Sequence, residues 1–408
     1  MAEPIVIIGA GQAGGEAAVT LRAQGFDGAI AVIGDEPFVP YERPPLSKQL
    51  LAGELEPERT FIKRPEYYTD HDIEVRLGVR ATAIDRAAHQ VVLDDGDSLS
   101  YGQLLIATGA RVRQLDIPGA ELAGVHYLRT IEDSLAIRGH LRPGARVVVV
   151  GGGYIGLEVA AVATKLGCQV IVLEALGRVM NRVVAPQVSA FFDDLHRRHG
   201  VDLRTDTAVR ELAGTDKVAG KVERVLCADG TEIAADCVII GVGILPNVEL
   251  AVDAGLEVDN GIVVDEFART SDPDIYAAGD VTNHPNAIIG GRLRLESVQN
   301  AANQAQAAAR AMCGKGAPYA EVPWFWSDQY GLKLQMAGIS HADDEVVIRG
   351  DPAAERFAAV YMRDGVVVAI NTVNAMRDFM AGKRLIAAHV RADAKTLADP
   401  DIPLKTLL

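Results

Sequence analysis

The apolar residues of this chain come in short β-branched runs that end in glycine. Ile5-Val6-Ile7-Ile8 enters Gly9-Ala10-Gly11-Gln12-Ala13-Gly14, and a helix-like stretch follows from about Gly15 to Gln24, with Gly25 placed as its C-cap. A second apolar strand, Ile30 to Ile33, then ends in Gly34-Asp35. Strand, glycine turn, helix, strand is one βαβ unit. The pattern recurs: Val147-Val148-Val149-Val150 runs into Gly151-Gly152-Gly153-Tyr154-Ile155-Gly156, a helical stretch reaches about Lys165, and Val170 to Leu173 ends at Glu174. The duplication predicts an α/β protein with two Rossmann-like dinucleotide-binding domains.

Further runs fit that frame. Leu104–Ala107, Val238–Ile240 and Ile262–Val264 read as strands, and the Ala/Gln-rich stretch Ser297–Met312 reads as a long helix closed by Gly314. From Pro323 the texture changes. Trp324-Phe325-Trp326 concentrates aromatics, and Val346–Ile348, Ala358–Tyr361 and Val366–Ile370 predict an antiparallel meander, hence a smaller C-terminal α+β domain.

Composition narrows the function. A chain of 408 residues accommodates two to three such units. Forty basic residues against 55 acidic ones leave −15, which repels phosphate backbones, so nucleic acid and anionic membranes are poor partners. No apolar run approaches the roughly 20 residues that span a bilayer. The acidic start Met1-Ala2-Glu3-Pro4 is no secretory signal. Cys168, Cys227, Cys237 and Cys313 are scattered, without CxxC or Cys/His spacing. That suits a reducing, cytoplasmic compartment and predicts no metal site and no iron–sulfur cluster.

In a G-x-G-x-x-G turn the first glycine permits the turn, the second admits a pyrophosphate, and the third allows close helix–strand packing. Here each copy has a strand before it, a helix after it, and an acid about 20 residues on: Asp35 for the first, Glu174 for the second. Such a carboxylate accepts hydrogen bonds from ribose hydroxyls. Two dinucleotides in one chain point to a flavin plus a nicotinamide. Glu174 favours NADH, because a carboxylate repels the 2′-phosphate of NADPH, although Arg178 and Arg182 lie close enough in sequence to soften that preference.

Gly9 to Gly14, Ala107-Thr108-Gly109, Gly151 to Glu158 and Tyr276-Ala277-Ala278-Gly279-Asp280 resemble the successive fingerprints of two-dinucleotide flavoprotein reductases of glutathione-reductase type. More narrowly, Arg43-Pro44-Pro45-Leu46-Ser47-Lys48, Tyr127-Leu128-Arg129-Thr130, Glu296-Ser297-Val298-Gln299-Asn300 and Pro323-Trp324-Phe325-Trp326-Ser327-Asp328-Gln329 resemble the ferredoxin reductases of bacterial cytochrome P450 and aromatic-dioxygenase systems. The resemblance spans the whole chain. It implies an FAD domain from 1–112 and 244–322, an NADH domain from 113–243, and a C-terminal domain from 323–408 that covers the flavin.

It also implies site residues. Gly9, Gly11, Ala13, Gly14, Asp35, Lys48, Ala81, Thr108, Gly109, Arg129, Asp280 and Val298 fall on FAD-binding positions, Ala81 through its backbone. Gly151, Gly153, Tyr154, Ile155, Gly156, Glu158, Glu174 and Gly243 fall on NADH-binding positions, and Trp326 falls where an aromatic ring packs near the isoalloxazine. Lys48, Glu158 and Trp326 are thereby the catalytic candidates. A helix N-terminus near Val298 would favour negative charge on a reduced flavin. Plainer readings stay open: a solvated lysine, an ordinary helix acid, a core tryptophan, a turn aspartate and a packing helix.

No cysteine precedes position 168, so disulfide and peroxide chemistry lack their nucleophile. Electrons then leave by outer-sphere transfer. The reaction expected is hydride transfer from NADH to tightly bound FAD, then single electrons to a [2Fe–2S] ferredoxin serving a P450 or dioxygenase. Docking such an acidic ferredoxin calls for basic residues, with Arg292, Arg294, Arg310, Lys315, Lys333, Arg377, Lys383 and Arg384 as candidates. Rubredoxin or oxygen as acceptor, and an NADH-sensing role of apoptosis-inducing-factor type, are the rival readings.

Overall fold

Ile5–Ile8 lies at the centre of a five-stranded, all-parallel sheet. Its neighbours are Ile30–Gly34 and Gln103–Ile106, with Ile73–Leu77 and Ile275–Ala277 at the edges. All but the edge strand Ile73–Leu77 are largely buried on both faces, which explains their apolar sequences. Helices Gln12–Ala23 and Val298–Met312 pack against each other on one face. Their contact is built from Ala13, Ala17 and Ala18 against Ala301, Ala305 and Ala308. Gly25, at φ +85°, follows the first helix in the left-handed conformation that ends it. A three-stranded antiparallel sheet of Ala81–Asp85, Gln90–Leu93 and Ser98–Ser100 is an addition the apolar runs did not announce.

In the computed structural model, which describes residues 2–215 and 220–408, this sheet belongs to a unit of Met1–Arg43, Pro57–Arg111 and Leu245–Trp324. A second unit comprises Pro44–Glu56, Val112–Ile244 and Phe325–Leu408.

The second unit repeats the architecture. Its parallel sheet runs Asp202–Arg204, Gln169–Leu173, Arg146–Val150, Cys237–Ile240, Val125–Tyr127. Helix Tyr154–Lys165 follows the central strand. A five-stranded antiparallel sheet contributes the C-terminal segment, in the order Trp324–Gln329, Leu332–Gly338, Val366–Val373, Arg356–Arg363, Glu345–Asp351. The three strands expected as a meander are present, and the Trp-Phe-Trp stretch is itself a strand at the sheet edge. One apolar core runs from Val147, Val172 and Phe192 to Leu334, Phe357 and Tyr361. The Tyr361 hydroxyl accepts from the Ala185 N–H at 2.7 Å. Helix Met376–Ala387 packs on Leu332–Gly338 and Val366–Val373.

Candidate active site

The three glycines of each turn do different work. Gly9 sits at φ +113°, and a Cβ there would lie 2.2 Å from the Ala107 carbonyl oxygen; on Gly14 it would lie 1.9 Å from the Gly9 oxygen. These two glycines are demanded by packing. A Cβ on Gly11, by contrast, would find nothing nearer than Arg43 Nη2 at 4.0 Å. The space it leaves opens over the start of helix Gln12–Ala23, which among the described residues has no side-chain cap. Free N–H groups and an open approach form an anion cradle.

The second turn repeats this. Gly151, at φ +110°, would put a Cβ 2.3 Å from the Gly241 oxygen, and Gly156 would put one 2.1 Å from the Gly151 oxygen. Gly153 faces open space, and helix Tyr154–Lys165 likewise lacks a side-chain cap. Both cradles fit a dinucleotide diphosphate.

Arg43 is a feature that glycine spacing could not reveal. Nη2 meets Glu36 Oε1 at 2.7 Å and Nη1 meets the Tyr41 hydroxyl at 2.9 Å, while that hydroxyl donates to Glu36. Burial works against the Arg43 charge, but Tyr41, Glu36 and Asp280 outweigh it and raise its pKa. A cation is thus fixed beside the first cradle.

The acids differ in setting. Glu174 accepts from the Gly152 N–H at 2.8 Å and the Leu176 N–H at 2.8 Å, which locks its carboxylate beside the second turn. Asp35 is exposed and pairs with Arg80 at 2.9 Å. Asp280 follows Gly279, whose N–H donates to Gln304 Oε1 at 2.9 Å and whose φ is +90°. A Cβ on Gly279 would lie 3.2 Å from that of Ala13, so both positions must stay small.

Other predicted positions serve the local backbone. Thr108 Oγ1 donates to the Asn247 oxygen at 2.8 Å, and Gly109 accepts from the Asn247 N–H at 3.0 Å. Ala81 is buried on its strand. Val298 opens its helix, capped by Ser297, whose hydroxyl accepts from the Asn300 N–H at 3.1 Å. The Arg129 N–H donates to Asp133 Oδ2 at 2.9 Å, next to the Thr130 capping box. Gly243, at φ +108°, accepts from the Arg113 N–H at 2.9 Å.

Within the second unit, Lys48 and Glu158 come together. Pro44–Ser47 forms a single 3-10 turn directly before Lys48. Glu158 is 1% exposed; Oε2 takes Lys48 Nζ at 2.8 Å and Ser47 Oγ at 2.5 Å, and Oε1 takes Ser327 Oγ at 2.6 Å. The network continues. Gln329 Nε2 donates to Ser327 Oγ at 3.0 Å, Gln329 Oε1 faces His196 Nε2 at 2.8 Å, and the Tyr330 hydroxyl lies 3.2 Å from His196 Nδ1. Because the Gln329 oxygen only accepts, His196 carries its proton on Nε2, and every bond is polarised toward Glu158.

Tyr154 packs its ring 5.0 Å from Phe325 and donates to Met336 Sδ at 2.8 Å; burial raises its phenol pKa. Ile155 is 43% exposed beside the open face of Gly153. On strand Trp324–Gln329, Phe325, Ser327 and Gln329 share one face. Phe325 belongs to the core and half-buried Trp326 points the other way, which argues against a core role for it.

Several docking candidates are engaged locally. Arg292 donates to the Val264 and Asn283 carbonyls, Arg294 pairs with Glu296 at 2.7 Å, and Lys315 donates to the Gln24 carbonyl. Arg310, Lys333, Arg377 and Arg384 are exposed. The four cysteines are free, three of them buried. Among the described residues, no helix is long and apolar enough to cross a membrane.

Two glycine-opened helix starts on two parallel sheets, each with an acid at the end of the next strand, fit the two-dinucleotide class of oxidoreductase. A family model described as pyridine nucleotide-disulphide oxidoreductase matches residues 3–305, and one described as reductase C-terminal matches 324–408. The chain belongs to the pyridine nucleotide-disulphide oxidoreductase family, whose members work with a flavin and a nicotinamide. It is 43% identical over 408 residues to putidaredoxin reductase CamA of Pseudomonas putida, covering 99% of this chain and 96% of that protein. It is 45% identical over 408 residues to the ferredoxin–NAD(+) reductase component of the anthranilate 1,2-dioxygenase system of Burkholderia cepacia, covering all of both. The crystal structure of the covalent putidaredoxin reductase–putidaredoxin complex superposes with a TM-score of 0.96 at 43% identity, covering 99% of this chain and 98% of that one.

Proposed function

We propose that this protein is a cytoplasmic, NADH-dependent flavoprotein ferredoxin reductase serving a cytochrome P450 or ring-hydroxylating dioxygenase. A tightly bound FAD would supply the conversion of the hydride of NADH into single electrons for two successive [2Fe–2S] ferredoxin molecules. The observation that carries this reading is the pair of uncapped, glycine-opened helix starts, at Gly11 and Gly153, in one chain without a cysteine before Cys168. The relatives, reductases of a putidaredoxin and of a dioxygenase ferredoxin, support the acceptor.

The chain's own contributions follow. Gly11 and Arg43 receive the FAD diphosphate, with Asp35 and Asp280 for its hydroxyls, in a domain of 1–112 and 244–322. Gly153 receives that of NADH in 113–243, where Glu174 takes the ribose. The segment 323–408 covers the flavin, with Trp326 as its aromatic shield. Lys48 is held by Glu158, which fixes where its ammonium is presented. The preference for NADH is supported by Arg178, whose guanidinium donates to the Val184 and Asn181 carbonyls instead of standing free for a 2′-phosphate.

Anaerobic stopped-flow mixing of NADH-reduced protein with an oxidised [2Fe–2S] ferredoxin tests the proposal. Fast cluster bleaching with flavin reoxidation is expected. Prompt flavin reduction with an unreactive cluster would move the acceptor to rubredoxin or oxygen. Protein that binds no FAD would end the reading.

A further inference from the structure

His126, His140 and Cys237 converge within the second unit, with one ring nitrogen of each histidine and the Cys237 Sγ all within 4.8 Å of one another. The parallel sheet sets this up. His126 on Val125–Tyr127 stands opposite Ile239, and residues in parallel register project to one face. Cys237, two residues before Ile239, shares that face. Helix Ile131–Arg138 then returns the chain, and the His140 N–H, bonded to the Ile137 carbonyl at 2.9 Å, anchors that residue at the helix end. The two imidazoles lie 4.8 Å apart between centroids.

Two observations make this more than a chance cluster. His126 Nε2 is buried and has no hydrogen-bond partner among the described residues, although buried ring nitrogens normally find one. Cys237 is fully buried and free of any disulfide. Two imidazoles and a thiol, with no carboxylate in the group, form the donor set of a borderline-soft ion rather than of calcium or magnesium.

We propose that His126, His140 and Cys237 bind a zinc ion, with a water completing the tetrahedron. Zinc takes nitrogen at about 2.0–2.1 Å and sulfur at about 2.3 Å, which puts donors about 3–4 Å apart. Rotation of the half-buried His126 and His140 rings is the adjustment that zinc would require of the present spacing. The Cys237 thiol releases its proton to the buffer as the Zn–S bond forms. The ion ties the sheet-edge residue His126 to the helix end, so its effect is on stability. The three ligands come from separate segments, which is why sequence spacing predicts no metal site.

Untagged, flavin-loaded protein is dialysed against chelator, given zinc chloride and freed of excess metal. One retained zinc per chain and a raised melting temperature are expected, with more than tenfold weaker binding in His140→Ala and in Cys237→Ala. In chelator His140→Ala should melt like the wild type and Cys237→Ala somewhat lower, by the packing its buried thiol loses; if Cys237→Ala does not fold, His140→Ala decides. Cobalt in place of zinc should give a thiolate charge-transfer band that Cys237→Ala lacks. No stoichiometric zinc in the wild type, or equal retention by the variants, would overturn the proposal.

Discussion

Lys48 Nζ lies 2.8 Å from Glu158 Oε2, pairing a lysine 12% exposed with a carboxylate 1% exposed. Ser47 and Ser327 hold the same carboxylate, so Glu158 cannot turn away from Lys48. Removing one partner strands the other. Lys48→Met should therefore cost about 3–5 kcal/mol of stability, the range for breaking a buried pair, and slow flavin reduction by NADH. Glu158→Gln keeps an oxygen for the donors and should cost about 1–3 kcal/mol. Urea unfolding checks both. A loss below about 1 kcal/mol in Lys48→Met would mean that water already screens the pair.

The relay behind Glu158 makes stability depend on pH. Burial pulls the His196 pKa down from 6.5 to about 4, with Gln329 and Asp193 opposing and His199 assisting. Burial, with Arg292 assisting, does the same to His284 in the first unit, also to about 4. In both cases the folded value lies below the unfolded one, so protonation favours the unfolded chain. The stability is present above pH 6.5 and is lost as pH falls toward 4. For each histidine the swing is about 3 kcal/mol. Denaturation of His196→Gln across this window should show a shallower acid loss than the wild type; identical slopes would mean that His196 is protonated in the fold.

The duplicated βαβ units were legible because the sequence writes them twice: four β-branched residues, three glycines, and an acid after the next strand. The glycine spacing alone also separated Gly11 and Gly153 from their packing neighbours. Less legible was anything assembled from distant segments. Arg43 reaches the first cradle through Glu36 and Tyr41, and Ser327, Gln329 and His196 line up behind Glu158 by strand alternation and a helix from elsewhere in the unit. Periodicity reports which face a residue occupies, and not which residue faces it.

Coenzyme choice should reside in Glu174. Its two oxygens are held by the Gly152 and Leu176 N–H groups, so the carboxylate is already in place to meet a ribose. Losing such a charge-assisted contact costs about 1–3 kcal/mol, and Glu174→Ala should lower kcat/KM for NADH by about tenfold or more. NADPH, relieved of repulsion, should gain. Steady-state dye reduction with each coenzyme measures this, and an unaltered ratio would place the ribose away from Glu174.

Ferredoxin docking should involve helix Met376–Ala387. Exposed Met376 and Met380 lie at i and i+4 beside exposed Arg377 and Arg384, an apolar strip flanked by positive charge on a chain of net −15. Reversing both arginines to glutamate should raise the ferredoxin KM and its dependence on salt, while dye reduction by NADH is unchanged. A KM that does not move would take the helix out of the interface.

The glycine turns allow a test that separates folding from cofactor binding. An alanine at Gly14 or Gly156 would place Cβ 1.9 or 2.1 Å from a carbonyl oxygen, so these variants should be strongly destabilised. An alanine at Gly153 meets nothing within 4 Å, at an ordinary φ of −81°. Gly153→Ala should therefore fold and retain flavin, yet bind NADH at least tenfold more weakly, because its methyl occupies the diphosphate approach. Gly11→Ala should be equally well folded and flavin-poor. Melting curves, flavin content and the NADH KM, measured on all four, decide the point. Normal NADH affinity in Gly153→Ala would show that the open space beside the second helix is not where the coenzyme lies.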